Sequence, residues 1–359
     1  MSNLGDNVTA FDPRAASQHH YAALAAFDNR LRAERLPDDP PTPQAELIAR
    51  WQHTPPFVAV SAWSIWDAAG TTIIAHGEVS FLHTEENKHV VWFNIQVTPE
   101  WRRQGLGRRL LAALVQVPQR EQRRLMTTET NDRVPAGAAF MERLGAKRGI
   151  AAHTNQLILA DLDRNLLRQW QERAGERAAG FELGLWVGPY PAEHLAAVVS
   201  LHEVMNTEPR DDLDVEDFHV TPEHIRQMEQ SMVASGTERW TMYARERATG
   251  AFVGFTEVFW NANRAALLFQ GATAVAPSYR GRGLGRWLKA AMLEKVLQER
   301  PMVRFVRTGN ADSNDPMLHI NHALGYKPFM SECVWQVETA QVAHYLSEAM
   351  AELPSQATS

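Results

Sequence analysis

Apolar positions along the chain follow two rhythms, and the same order of rhythms occurs twice. Alternation with a period of two marks strands at 57–63, 72–81 and 90–97 in the first half, and at 241–244, 252–260 and 265–275 in the second. Shorter strands at 8–11 and 181–187 precede them, each followed by a helical pattern, a loop rich in Asp and Pro, and a second helical pattern. Thr42-Pro43 opens one of these second helices through Leu47, Ile48 and Trp51; Thr221-Pro222 opens its counterpart through Ile225, Met228 and Met232. A turn, a long helix, a strand (125–128; 303–308), another helix and a closing pair of strands complete each half. The order predicts an α+β fold twice over, each a mixed, mostly antiparallel sheet flanked by helices.

Residue correspondences make the repeat explicit. Glu78 in HGEVSF matches Glu257 in FTEVF, Arg102 in RRQGLG matches Arg280 in RGRGLG, and Gly145 in ERLGA matches Gly325 in HALGY, at spacings of 178 to 180 residues. A duplicated domain is predicted: an N-terminal domain over 1–165, a polar, Arg-rich linker helix over 166–180, a C-terminal domain over 181–340, and a last helix and tail over 341–359. The stretch at the seam also reads as the closing helix of the first domain.

Composition fits this division. At 359 residues the chain exceeds what a single core usually supports, and 45% hydrophobic against 22% charged residues suffices for a core in each half. A net charge of −6 argues against a nucleic-acid partner, which needs basic surface to neutralise phosphates. The single cysteine, Cys333, excludes a disulfide framework and a multi-thiolate metal site, and suits a reducing compartment. No apolar run reaches the roughly 18 residues of a membrane span, and the N-terminus lacks the pattern of a leader, so a soluble cytoplasmic protein without a membrane partner is expected. The pairs His319/His322 and His219/His224 lack a positioned third ligand, and no metal is assigned.

Local chemistry concentrates in one turn per half. VTPEWRRQGLGRRLLAALV and VAPSYRGRGLGRWLKAAML each end a β-rich run in Val-x-Pro, then an arginine, then Gly-Leu-Gly at the start of a helix. Glycines let backbone N–H groups converge, and the helix aims its positive end at the same point, an anion cradle suited to a pyrophosphate. Arg102, Arg103 and Arg108 in one copy, and Arg280, Arg282 and Arg286 in the other, add charge. A dinucleotide fingerprint fails because Leu110 and Leu288 stand at the third glycine position, and no Walker A loop occurs.

Arg-x-x-Gly-x-Gly after Val-x-Pro, with the later NDPMLHINHALGY, resembles the acyl-CoA signature of the GCN5-related N-acetyltransferases, once per half. The two-domain arrangement resembles that of mycothiol synthases. The resemblance implies acetyl-CoA as co-substrate, with its pyrophosphate on the amides of Arg282, Gly283, Leu284, Gly285 and Arg286 beside Arg280 and Gly281. It implies that Ala274, Val275 and Ala276 pair with the pantetheine arm, and that Asn314 steadies the cofactor. In the first copy the matching positions are Val97 and the run Arg102, Arg103, Gln104, Gly105, Leu106, Gly107 and Arg108.

The family's reaction is direct attack of an amine on the thioester. Strand alternation sets Glu257 on one face with Phe255 and Phe259, making it the candidate base, or else an edge-strand glutamate turned to solvent. Many members carry the base on the following strand, where this chain has Ala272 and Asn94, so a water-relayed mechanism is an alternative. Asn321 stands where the family has a tyrosine acid, with Met141 in the first copy; Tyr326 serves as the acid or packs in the core. The second copy keeps Asn314 where the first has Val134, which predicts a catalytic second domain and a degenerate or structural first one. Acidic residues between the first two helices (Glu34, Asp38 and Asp39; Glu208 to Asp217) favour a small cationic amine as acceptor, or simply form a solvated loop. Alternatives are a non-catalytic acyl-CoA sensor and acetylation of an amino-sugar thiol precursor. Acceptor identity and oligomeric state are not encoded in any motif.

Overall fold

The computed structural model describes residues 8–351. The first seven residues and the tail at 352–359, on which the expectations about a leader and a C-terminal tail partly rest, lie outside the described residues.

Along the chain run β1 (Val8–Phe11), α1 (Gln18–Arg35), α2 (Gln44–Gln52), β2 (Val58–Trp66), β3 (Ile73–Leu82), β4 (Val90–Val97), α3 (Leu106–Leu114), α4 (Gln116–Arg120), β5 (Leu125–Asn131), α5 (Pro135–Arg143) and β6 (Lys147–Ile158). There follow α6 (Arg164–Arg177), β7 (Phe181–Val187), α7 (Leu195–His202), α8 (Pro222–Ala234), β8 (Thr237–Glu246), β9 (Phe252–Asn261), β10 (Leu267–Val275), α9 (Leu284–Glu299), β11 (Phe305–Ala311), α10 (Asp315–Ala323), β12 (Lys327–Glu338) and α11 (Thr339–Ala351).

Two compact units form, and they are not contiguous halves of the chain. Unit 1 takes the described residues through Ile150, the segment Asp212–Glu216 and everything from Glu332; unit 2 takes Ala151–Asp211 and Asp217–Ser331. In unit 1, β1 to β4 are antiparallel neighbours, β4 pairs parallel with β5, and β5 pairs antiparallel with β12 from Glu332 to Glu338. In unit 2, β7 to β10 are antiparallel, β10 pairs parallel with β11, and β11 pairs antiparallel with β6 from Ala152 to Ile158. Each sheet is thus completed by the closing strand of the other repeat.

The cores follow the exchange. Trp335 and Val337 of β12 pack with Val91, Leu111 and Met126 in unit 1, whereas Leu157 of β6 packs with Leu268, Leu288 and Val306 in unit 2. The seam helix α6 joins unit 2 rather than spanning freely: Asp163 caps it, Leu167 and Trp170 are buried in the unit 2 core, and Ala174, on the same face, is buried too.

The middle of the second repeat's acidic run, Asp212–Glu216, belongs to unit 1. Asp214 pairs with Arg124 at 2.5 Å and with His89, and the Asn87 amide donates to Glu216 at 2.6 Å. Leu213 approaches the chain so closely that a Cβ on Gly149 would lie 2.3 Å from it. Within the run, Asp214 and Asp217 thus have cationic partners, Arg124 and Arg210.

Candidate active site

In both units the strand before the long helix ends in a single 3-10 turn and then a glycine bend. Gly105 precedes α3 at φ 82° and Gly283 precedes α9 at φ 83°, left-handed values that glycine adopts without strain. Gly281 also has φ 79°, but its counterpart in unit 1, Arg103, is held at φ 62° with a side chain attached. No side chain caps the first-turn amides of either helix, and a Cβ on Gly105 or Gly283 would meet nothing within 4 Å. Open amides at a positive helix end form an anion seat. Leu106 and Leu284 are buried behind it, and Gly107 and Gly285 pack near Ile95 and Ile320.

The first arginine of each signature turns away from that seat. Arg102 donates through Nε to the Val97 carbonyl at 3.0 Å and grips Glu34 with both terminal nitrogens at 2.5 and 2.6 Å. Arg280 repeats the bond to the Val275 carbonyl at 3.0 Å and adds one to Thr207 at 2.7 Å. Both pin the bend to the preceding strand. Arg103 and Gln104, and Gly281 and Arg282, are exposed around the seat, while Arg286 lies over Trp170.

Beside each bend the sheet opens. β4 pairs with β5 only through Val90–Trp92, and β10 with β11 only through Leu267–Phe269. Beyond those residues the strands diverge, leaving residues 93–97 of β4 and the Ala274–Val275 end of β10 without a strand partner on that edge among the described residues. An extended ligand can add there through main-chain bonds. β10 also shifts register against β9 between Gln270 and Thr273, whereas β4 pairs with β3 without a shift.

On the sheet face opposite α3, unit 1 holds a cavity of about 390 Å³. Strand alternation supplies its floor: His76, Glu78 and Ser80 from β3, flanked in register by Gln96 and Asn94 of β4. Asp28, Arg32 and Arg35, one helical turn apart on α1, form a wall with Arg50 of α2. Burial raises the Asp28 carboxyl against the pull of Arg50, Arg35 and Arg32. Burial, and then Asp28, raise Glu78 as well. A carboxyl so perturbed beside a cavity takes up a proton more readily than an exposed one.

At the matching position of unit 2 the glutamate is enclosed. Glu257, 5% exposed, accepts from the Tyr190 hydroxyl and from Thr241 Oγ1 at 3.1 Å, with Arg239 Nε 4.0 Å away. Arg239 lies 3.5 Å from the Tyr190 ring centroid and pairs with Glu229 at 2.6 Å. The difference is written on the neighbouring strand: opposite Glu78 and Ser80 stand Ala62 and Val60, opposite Glu257 and Phe259 stand Thr241 and Arg239.

A profile of the Acetyltransferase (GNAT) family matches residues 24–146 and again 199–326. The chain belongs to the GNAT acetyltransferase family. It is an acyltransferase built of two GNAT repeats, and among solved structures it is similar to a tandem GNAT protein from the clavulanic acid biosynthesis pathway, at 25% identity over 92% of this chain and 98% of that one, TM-score 0.75. It shares its fold with a GCN5-related N-acetyltransferase from Sphaerobacter thermophilus, at 16% identity over 94% and 97% of the two chains, TM-score 0.63. No curated protein matches the chain. No helix among the described residues is long and apolar enough to cross a membrane.

Within these GNAT repeats, several residues singled out from the sequence have other duties. Asn314 caps α10, accepting from the Met317 amide at 3.4 Å. Asn321 is fully buried, accepts from Lys289 Nζ at 2.7 Å and donates to Asn310 at 2.8 Å; an amide so placed has no proton to give a leaving thiolate. Tyr326 is 3% exposed with its hydroxyl buried, burial raises its pKa, and it packs in the unit 2 core. Lys289 between them is held down to about 7 by burial. Sequence reasoning missed Asp28, His76 and Glu78. The signal for Glu78 was its match to Glu257; nothing local marks Asp28 or His76.

Proposed function

We propose that the chain moves the acetyl group of acetyl-CoA to the amine of a small acceptor held in the unit 1 cavity. The reading is supported above all by one contrast: Glu78 opens onto a cavity, and Glu257 at the same strand position is enclosed by Tyr190 and Thr241. It moves the acceptor from the second repeat, where the sequence had suggested it, to the first.

The unit 1 bend and strand edge fit the cofactor, with uncapped amides at Leu106 to Arg108 for the pyrophosphate and the free edge of β4 for the pantetheine arm. Acetyl-CoA would supply an activated acyl carbon to the bound amine. Asp28 and Glu78 hold the acceptor's ammonium, and Glu78, already shifted toward protonation, takes up the proton whose loss makes the amine a nucleophile. Asn94 and Gln96, on the floor beside Glu78, orient the acceptor's polar groups.

Thiol release from acetyl-CoA across a panel of small amines tests the assignment. Glu78→Gln should lower kcat by about a hundredfold or more, whereas Glu257→Gln should leave kcat within about threefold of the parent. The reverse pattern would return the acceptor to unit 2.

A further inference from the structure

Acetylation of an ammonium releases one proton per turnover, and the unit 1 cavity, whose rim carries the exposed Arg50 and Asn94, has a buried histidine in its floor. His76 lies on its floor, 6% exposed, and its Nε2 is a buried atom with no hydrogen-bond partner among the described residues. Its other nitrogen is engaged: Nδ1 is 3.0 Å from Ser64 Oγ, which is 0% exposed and lies opposite it on β2. Ser64 Oγ in turn lies 3.4 Å from Nε2 of His20, a partly exposed residue in the first turn of α1. Three side chains from three elements thus form a continuous line of exchangeable protons between the cavity floor and the surface.

The geometry points to His76, Ser64 and His20 as a proton relay that carries the acceptor's proton out of the unit 1 cavity. This rests on the reading that the cavity holds the amine. In the starting arrangement His76 donates Nδ1–H to Ser64 and Ser64 donates O–H to His20 Nε2, so His76 Nε2 keeps its lone pair, buried beneath the cavity floor. A proton that Glu78 has taken from the amine and passes on to His76 Nε2 drives Nδ1–H to Ser64, and the former Ser64 hydroxyl proton to His20 Nε2, and leaves Glu78 ionised again. One proton enters, one appears on His20, and His76 stays neutral throughout. The His20 imidazolium then loses its Nδ1 proton to solvent.

The surroundings favour that division of charge. Phe11, Phe27 and Trp51 ring His76 at 6.1 to 6.3 Å between centroids, and burial, followed by the nearby His20, holds it down to about 3. A lasting imidazolium is therefore excluded from His76 and has to form further out. His20 packs against Phe11 and Trp66, and burial, then the adjacent His19, keep it below its ordinary value, so at neutral pH it sheds a proton promptly. In the second repeat Tyr243 and Phe255 occupy the positions of Ser64 and His76, and no such line exists there.

Single variants of the full chain test the relay, with His19→Gln, beside His20 but outside the line, as control. His20→Gln should lower kcat about tenfold or more, leave KM for both substrates within about twofold, and recover when imidazole is added to the buffer. Ser64→Ala should do the same without rescue. Unchanged kcat in His20→Gln, an equal loss in His19→Gln, or a joint loss in kcat and KM that imidazole does not restore would each overturn the relay. Because His20 is partly exposed, its variant remains informative even if Ser64→Ala fails to fold. Activity lost in Glu78→Gln but intact in His20→Gln removes the relay alone; activity intact in Glu78→Gln removes the site beneath it.

Discussion

Trp335 gives the sharpest test of the exchanged strands. It lies in the second repeat by sequence, yet it is 2% exposed in the core of unit 1, donates Nε1–H to Thr130 at 2.7 Å and carries Arg148 over its ring at 4.9 Å. Truncating a buried tryptophan costs about 3–5 kcal/mol, and the lost hydrogen bond adds about 1 kcal/mol. For a unit of roughly 180 residues each kcal/mol lowers Tm by about 2–4 °C, so Trp335→Ala should bring the unit 1 transition down by roughly 8–24 °C. Calorimetry reads the shift, and hydrogen exchange locates it: protection should fall across Leu125–Asn131, the strand that β12 covers, while β10 and β11 keep theirs. The mirror variant Leu157→Ala, in the first repeat, should loosen Phe305–Ala311 instead. If Trp335→Ala exposed the strands of its own repeat and left β5 protected, the exchange would be wrong.

Three further outcomes are expected. Arg103, held at φ 62° where the other copy has glycine, stores about 1 kcal/mol of backbone strain, so Arg103→Gly should be neutral to slightly stabilising in denaturant titration, while Gly281→Ala should cost about 1–2 kcal/mol. Tyr190→Phe removes the hydroxyl bonded to Glu257 and should destabilise unit 2 by about 1–3 kcal/mol with turnover unchanged; a large loss of kcat would place chemistry in unit 2. Because the Glu78 pKa is raised by folding, its contribution to stability is complete below the ordinary glutamate value and is lost as pH rises through the raised one. Glu78→Gln, always neutral, should therefore gain on the parent in urea midpoints as pH rises above the ordinary glutamate range of about 4, and a flat difference would contradict the shift.

The duplicated order of elements, the glycine bends and the family were legible because each depends on local pattern. Gly283 with its following apolar helix reads the same alone as in the folded chain. Partner choice was not legible: β6 and β12 have the same rhythm whichever β-sheet receives them, so periodicity predicts a strand and not its neighbour. Arg102 looked like a phosphate ligand because its partner Glu34 lies 68 residues away. The cavity escaped for a related reason. Its difference from unit 2 lies in Ala62 and Val60 against Thr241 and Arg239, small against large on a strand whose register only the fold supplies. The acidic run was seen, but the pairing of Asp214 with Arg124, 90 residues earlier in the chain, was not legible.

The exchanged closing strands also govern the order in which the protein can come into being. When residue 150 leaves the ribosome, β5 of the first unit still has a bare edge, and the segment that covers it ends at Glu338. At roughly 5–20 residues per second, about ten to forty seconds pass before that segment is synthesised. Throughout that interval the nascent chain carries an unpaired strand edge, the surface most prone to intermolecular association. Yield in the cell should therefore depend on translation speed across the second repeat and on chaperones that shield the first while it waits.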